Sequence, residues 1–107
     1  MATYQVVLEA LAEPSRRGLL ERLATGPASV AELASELPIS RPAVSQHLKV
    51  LREARLVDFD ERGTRNVYRL DPAGLEPLRT WLDGFWQDAL DAFEAHARAV
   101  SETRRST

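Results

Sequence analysis

The sequence contains no cysteine, which excludes several kinds of site at once. Disulfides, thiolate metal centres, iron–sulfur clusters and cysteine nucleophiles all need a thiol. Histidine is also scarce, with two in 107 residues, and these two, His47 and His96, fall in different predicted elements. No carboxylate pair and no Ser/His spacing indicates a catalytic site. We therefore predict that the protein is not an enzyme.

Long apolar runs are missing as well. No run approaches the roughly 18 residues that a membrane-spanning helix needs. The N-terminal segment lacks the basic and apolar regions of a secretory signal. The chain has 107 residues and an apolar fraction of 44%, which is enough for one core. We expect a single soluble domain, residues 1–107, in the cytoplasm and without membrane contact.

The net charge of −2 hides an uneven distribution. Residues 41–70 carry seven Lys/Arg and four Asp/Glu, a net charge of +3, whereas residues 1–40 and 71–107 are net −2 and −3. A basic segment between acidic ones is typical of a surface that faces a polyanion. Charge alone fits an ordinary solvated surface at least as well.

Helical spacing of apolar residues predicts four short helices in the first half of the chain. Pro14 is suited to open the second helix, and Gly26 to end it as a left-handed cap. The Ser29-Val-Ala-Glu32 run is a capping box for the third helix, and Ser40 is suited to cap the fourth. The predicted helices span residues 3–12, 14–25, 30–37 and 41–54.

The third and fourth predicted helices form a helix-turn-helix, because only a short turn joins them. Two alternating apolar runs, 56–60 and 66–70, then flank a glycine-containing loop and predict a β-hairpin, with Arg62 and Arg65 at its tip. A long helix follows over residues 75–100, and 101–107 is expected to be a flexible tail. The fold class is thus mainly α with a small β-hairpin, a winged helix-turn-helix.

The outer face of the fourth helix carries side chains that can read DNA in the major groove. Arg41, Ser45 and Gln46 have the donors and acceptors that base edges require, and Lys49 and Arg52 suit phosphates. The hairpin tip is placed to follow the backbone or enter the minor groove. The predicted DNA contacts are Ser40, Arg41, Pro42, Ser45, Gln46, His47, Lys49, Arg52, Arg62, Thr64 and Arg65. Four of them have a simpler reading: Ser40 as a helix cap, His47 as a packing residue, and Gln46 and Lys49 as solvated side chains.

The last helix carries more aromatic area than one helix of a small monomer can cover. Pairing it, together with the first helix, across a twofold axis would bury that area, although an intramolecular core is the alternative. The predicted interface residues are Val6, Val7, Ala10, Leu11, Trp81, Leu82, Phe85, Trp86, Leu90 and Phe93. A cavity between the aromatic side chains would admit an apolar effector, which the sequence does not identify.

The run LPISRPAVSQHLKVLREARLVD at 37–58 resembles the recognition segment of the ArsR family of bacterial winged-helix repressors. It continues into RGTRNVYRL, which resembles that family's wing, and ALAEPSRRGLLERLATGPASVAELA upstream is similar to its second and third helices. The resemblance covers roughly residues 5–70. It implies a homodimeric, nucleoid-associated transcriptional regulator, usually a repressor, which binds inverted-repeat operator DNA.

The chain departs from the metal-sensing branches of that family. Thiolate sensors carry Cys-x-Cys where this chain has Ser29 and Ala31, and zinc-binding members carry Asp, His and Glu on the last helix, where this chain has only His96. We therefore expect no metal and no other cofactor. Two alternatives remain open: a ligand-gated sensor with its site among Trp81, Phe85 and Trp86, and a winged-helix protein-interaction module.

Overall fold

A computed structural model describes residues 3–106 of the chain, with side chains to residue 105. The helices are α1 (Tyr4–Leu11), α2 (Pro14–Leu23), α3 (Val30–Glu36), α4 (Arg41–Glu53) and α5 (Glu76–Ser106). The strands are β1 (Ala28–Ser29), β2 (Val57–Arg62) and β3 (Arg65–Leu70), and one 3-10 turn (Pro72–Leu75) precedes α5. This order confirms the winged helix-turn-helix that the sequence predicts.

Side-chain caps define where the short helices begin. Thr3, Glu13, Ser29 and Ser40 each accept a hydrogen bond from the backbone N–H three residues ahead. The predicted capping box of α3 is complete, because the Glu32 carboxylate also accepts from the Ser29 N–H at 3.3 Å. These caps fix the entry of each helix and therefore the direction of its apolar face.

The prediction that Gly26 is the left-handed cap of α2 is wrong. The helix ends at Leu23, and Ala24 is its C-cap in right-handed conformation. The side chains of Thr25 and Arg22 explain the earlier end, because Thr25 Oγ1 donates to the Arg22 carbonyl and Arg22 donates to the Gly26 carbonyl. The Gly26 N–H also donates to the Leu23 carbonyl at 3.1 Å, so the last carbonyls of α2 are satisfied although Gly26 lies two positions beyond the cap.

The end of α4 has a left-handed residue that is not glycine. Arg55 has φ +62°, and the Leu56 N–H donates to the Leu51 carbonyl at 2.9 Å, as in a Schellman motif. Leu51 and Leu56 are both buried, so an apolar contact accompanies the turn. The 3-10 turn packs directly against this point, since a Cβ on Gly74 would lie 1.9 Å from the Arg55 carbonyl oxygen. This junction sets the direction in which the chain leaves α4 for the wing.

The sheet has three antiparallel strands in the order β1-β3-β2. The sequence predicts only the hairpin, with a five-residue loop, whereas β2 and β3 pair as far as Arg62 and Arg65 and leave a two-residue turn. Gly63 at the first turn position has φ +65°, which matches the type II′ turn that fits the twist of a hairpin. Strand β1, which pairs with β3, is two residues long and has no sequence signature.

The core lies between α1, α2, α3, α4 and the sheet. Its buried apolar residues are Val7, Ala10, Leu19, Leu23, Ala28, Leu33, Val44, Leu48, Leu51, Ala54, Leu56 and Val57. The prediction that Val7 and Ala10 form a dimer interface is therefore wrong, because both are buried within a single chain. Leu11 is half-buried against the same core, and Val6 stays exposed.

Helix α5 is longer than predicted. It has 31 residues, about 46 Å at 1.5 Å per residue, and runs to Ser106 rather than ending near Val100 before a tail. The Thr103 hydroxyl donates to the Ala99 carbonyl at 3.0 Å. Two arginines lie in the last turn, where positive charge stabilises the carbonyl end of a helix. From Leu82 to residue 105 every side chain is exposed.

Candidate nucleic-acid interface

The outer face of α4 is polar and open. Arg41, Ser45, Gln46 and Lys49 are all exposed, while the opposite face of the helix is buried in the core. Within the described residues, none of these four side chains makes an ion pair or hydrogen bond. Their donors and acceptors are therefore available to a ligand that lies along the helix.

Two predicted contacts at the start of α4 have a local role. Ser40 Oγ accepts the Ala43 N–H at 3.3 Å, so its capping role is present in the structure. Pro42 lies in the first turn, where the missing N–H costs nothing. Both residues are exposed and lie at the end of α4 that carries Arg41.

His47 lies apart from the open face. Its side chain is 22% exposed, and Nε2 is 3.8 Å from a carboxylate oxygen of Glu13, the N-cap of α2. This placement favours the packing reading of His47 over contact with DNA.

Arg52 lies at the C-terminal end of α4 and turns toward the wing. Its guanidinium carbon is 4.4 Å from the centroid of the Phe59 ring, and Nε is 3.6 Å from Asp58 Oδ1. The sequence gives no direct sign of either contact, because both partners come from the strand that follows the helix.

The wing tip places two arginines opposite each other. Arg62 and Arg65 are directly paired across the hairpin on either side of Gly63 and Thr64, and all four residues are exposed. Like charges at directly opposed positions destabilise a strand pair. An anion between or beside the two guanidinium groups would remove this repulsion, so the tip is suited to a phosphate backbone.

The helix-turn-helix is supported by charged groups on α2 and α3. Hydrogen bonds from Ser29 lower the pKa of Glu32, and the positive charge of Arg65 acts in the same direction. Arg22 of α2 binds Glu36 at the end of α3, and this hydrogen bond raises the pKa of the guanidinium. The Ser29–Glu32 contacts thus stabilise the start of α3, and the Arg22–Glu36 pair links its end to α2.

Comparison with known proteins identifies the family. The model of the family "Bacterial regulatory protein, arsR family" matches residues 13–58, which include α2, α3 and α4. The HTH-type transcriptional regulator Rv2034 of Mycobacterium tuberculosis is 57% identical over 96 residues, covering 87% of this chain and 90% of that protein. This chain belongs to the ArsR family of bacterial regulatory proteins. It is therefore a transcriptional regulator and not an enzyme.

Two further relatives match over most of the chain. The transcriptional repressor SdpR of Bacillus subtilis is 29% identical over 79 residues, covering 74% of this chain and 88% of that protein. A crystal structure of a possible transcriptional regulator for arsenical resistance superposes with a TM-score of 0.69 at 50% identity, covering 82% of this chain and 92% of the other.

This ArsR-family chain also has an open apolar surface on α1 and α5. Tyr4 stacks on Trp81 with ring centroids 4.9 Å apart, and Trp81 stacks on Phe85 at 5.5 Å. Beyond this stack, Trp86 and Phe93 are each 69% exposed. The exposed large apolar residues on the two helices are Val6, Leu8, Leu82, Phe85, Trp86, Leu90, Phe93 and Val100. Large apolar side chains exposed along one helix are typical of a protein interface.

The donor set for a metal is poor. Among the described residues, no three His, Asp or Glu side chains are grouped to hold a metal ion. The Ser29 hydroxyl, at a position where thiolate sensors of the family carry a cysteine, is buried and accepts the Glu32 N–H.

In the part of the chain that the structure describes, no helix is long and apolar enough to cross a membrane.

Proposed function

We propose that this ArsR-family regulator is a homodimeric repressor that binds inverted-repeat operator DNA through α4 and the wing. The observation that carries the proposal is the outer face of α4, where four exposed polar side chains have no partner among the described residues. Repression is supported by SdpR, a relative named as a repressor.

The side chains divide into base-reading and backbone-binding groups. Arg41 has the two donors that recognise guanine, Gln46 has the donor and the acceptor that recognise adenine, and Ser45 reaches a base or a phosphate. Lys49, further along the helix, neutralises a phosphate. At the wing tip, Arg62 and Arg65 bind the backbone or enter the minor groove, with the exposed Thr64 hydroxyl between them.

The dimer forms when a second copy covers the exposed face of α1 and α5. A twofold axis repeats Trp86 and Phe93 on both sides of the interface, so each copy covers the other's aromatic surface. Such an axis would set the two α4 helices about one DNA turn apart, roughly 34–36 Å, which matches successive major grooves. Because the described residues hold no suitable ligand set, we propose that DNA binding does not respond to metal.

A mobility-shift titration with DNA from immediately upstream of the protein's own gene tests this function. We expect a shift that a chelator leaves unchanged. Gln46→Ala should lower specific affinity by about 1–3 kcal/mol if the amide reads a base. Arg98→Ala is the matched control, because it alters an exposed polar side chain of α5 far from α4. Equal affinity of the two variants would refute base reading by α4.

A further inference from the structure

The last turn of α4 is linked to the wing by one side chain. Arg52 lies over the face of the Phe59 ring at 4.4 Å, and its Nε is 3.6 Å from Asp58. Phe59 in turn packs against Tyr68 of β3, with ring centroids 5.2 Å apart. Because β2 is the edge strand of the sheet, Arg52 can approach it from the side and contact residues on both of its faces.

The charges continue across the wing from this contact. The second carboxylate oxygen of Asp58 is 3.8 Å from Nη2 of Arg69, and Arg69 Nε is 3.3 Å from Asp60 Oδ2. The alternating charges thus connect α4 with both long strands of the hairpin. In the described part of the chain, the pair of Arg52 with Asp58 is the one ion pair between α4 and the wing.

This arrangement separates Arg52 from its neighbour on the helix. Lys49, one turn earlier, is exposed and has no partner among the described residues. The Arg52 guanidinium already has an aromatic face on one side and a carboxylate on another. A phosphate that approached Nε would have to replace Asp58, whereas Lys49 has no such contact to give up.

We propose that Arg52 is a positioning residue, which holds the wing against the end of α4, in the direction set by the Arg55 junction, and so lets the wing tip reach the DNA while α4 lies in the groove. This role rests on the proposed DNA-binding function. Arg52 then acts through Arg62 and Arg65, and its contribution to affinity depends on their charges.

A double-mutant cycle on operator DNA separates positioning from direct phosphate contact. Arg52→Gln should lower affinity about two- to fivefold in the native chain, the range expected for losing an exposed cation–π contact. It should cost nothing further when Arg62 and Arg65 are both Gln. Phe59→Leu should reproduce the loss although no charge is removed. Lys49→Gln is the control. It should lower affinity by the same factor in the native chain and in the chain with Gln at positions 62 and 65.

The outcomes are distinct. If Arg52→Gln lowers affinity equally with the native wing and with Gln at positions 62 and 65, Arg52 contacts a phosphate and the proposal is overturned. The proposal is also overturned if Arg52→Gln leaves the affinity of the native chain unchanged. A lower melting temperature with unchanged affinity would reduce Arg52 to a stabilising contact and also overturn it.

A measurement on the free protein separates this inference from the proposed function. Hydrogen exchange at the Asp58 and Arg69 amides, which face each other across β2 and β3, should be faster in Arg52→Gln than in the native chain, with the α3 amides unchanged. If exchange is unchanged, Arg52 does not hold the wing, whatever the protein binds. If exchange is faster but no variant of α4 or the wing alters DNA binding, the proposed function fails while the link between α4 and the wing stands.

Discussion

Replacing Trp86 by alanine tests whether a second copy covers α5. Trp86 is 69% exposed, and an aromatic residue presents about 200 Å² for burial, so roughly 140 Å² of Trp86 is left open in one chain. At about 25 cal/mol per Å², full cover would stabilise the dimer by roughly 3 kcal/mol per protomer. Because both protomers lose the side chain, the free energy of dimerisation should weaken by about 6 kcal/mol with full cover and by about 4 with partial cover. The dimer should therefore be about 10³- to 10⁴-fold weaker.

Sedimentation equilibrium over a range of protein concentrations measures this change. Gln87→Ala is the matched control, because Gln87 is exposed on the same helix and its side chain bonds, among the described residues, to Asp91 alone. The melting temperature of the isolated protomer should change little, since Trp86 makes few contacts within it. An unchanged dissociation constant for Trp86→Ala, or a native protein that sediments as one chain at every concentration, would refute the reasoning.

Three further predictions concern the wing, two glycines and the capping box. Removing the charges of Arg62 and Arg65 should flatten the plot of log affinity against log salt by up to about 0.9 per lost phosphate contact; an unchanged slope would show that the tip does not touch phosphate. Gly18→Ala should raise the free energy of unfolding by about 0.5–1 kcal/mol, because a Cβ there meets nothing within 4 Å. Gly74→Ala should lower it, because the Cβ would overlap the Arg55 carbonyl; urea unfolding compares the two. The pKa of Glu32 is lowered from its ordinary value of 4.5, so its contribution to stability is present above that pH and is lost as pH falls through the lowered value. Glu32→Gln should therefore flatten the acid limb of a stability–pH curve, and an unaltered limb would contradict the assignment.

Much of the fold was predictable because local signals agreed with one another. Ser29 with Glu32, Ser40 with Pro42, and the spacing of Val44 all mark helix starts and inward faces by short-range chemistry. The open face of α4 followed from the same spacing, since side chains opposite the buried ones must face the solvent.

The features of the fold that the sequence did not predict depend on contacts that residue spacing does not encode. Arg55 takes a left-handed conformation usually given to glycine, because the buried turn around it and the close approach of Gly74 determine the backbone. Strand β1 exists because β3 lies beside it. The partners of Arg52 and His47 come from other elements, so only the folded chain distinguishes these two from the open side chains of α4.

Val7 shows a second limit of pattern reading. Its helical spacing identified an apolar face on α1 but not what that face packs against. Small amphipathic helices can bury such a face within their own chain or against a partner, and the sequence pattern is the same in both cases. In the structure Val7 is buried in the core of its own chain, whereas Val6 is exposed.

The most direct test of the central claim is a hydroxyl-radical and methylation footprint on operator DNA. Two copies of α4 related by a twofold axis should protect two half-sites related by inverted symmetry, with centres about one helical turn, roughly 10 base pairs, apart. Protection of a single half-site, of two sites in direct repeat, or of no site at protein concentrations that saturate binding would contradict the account.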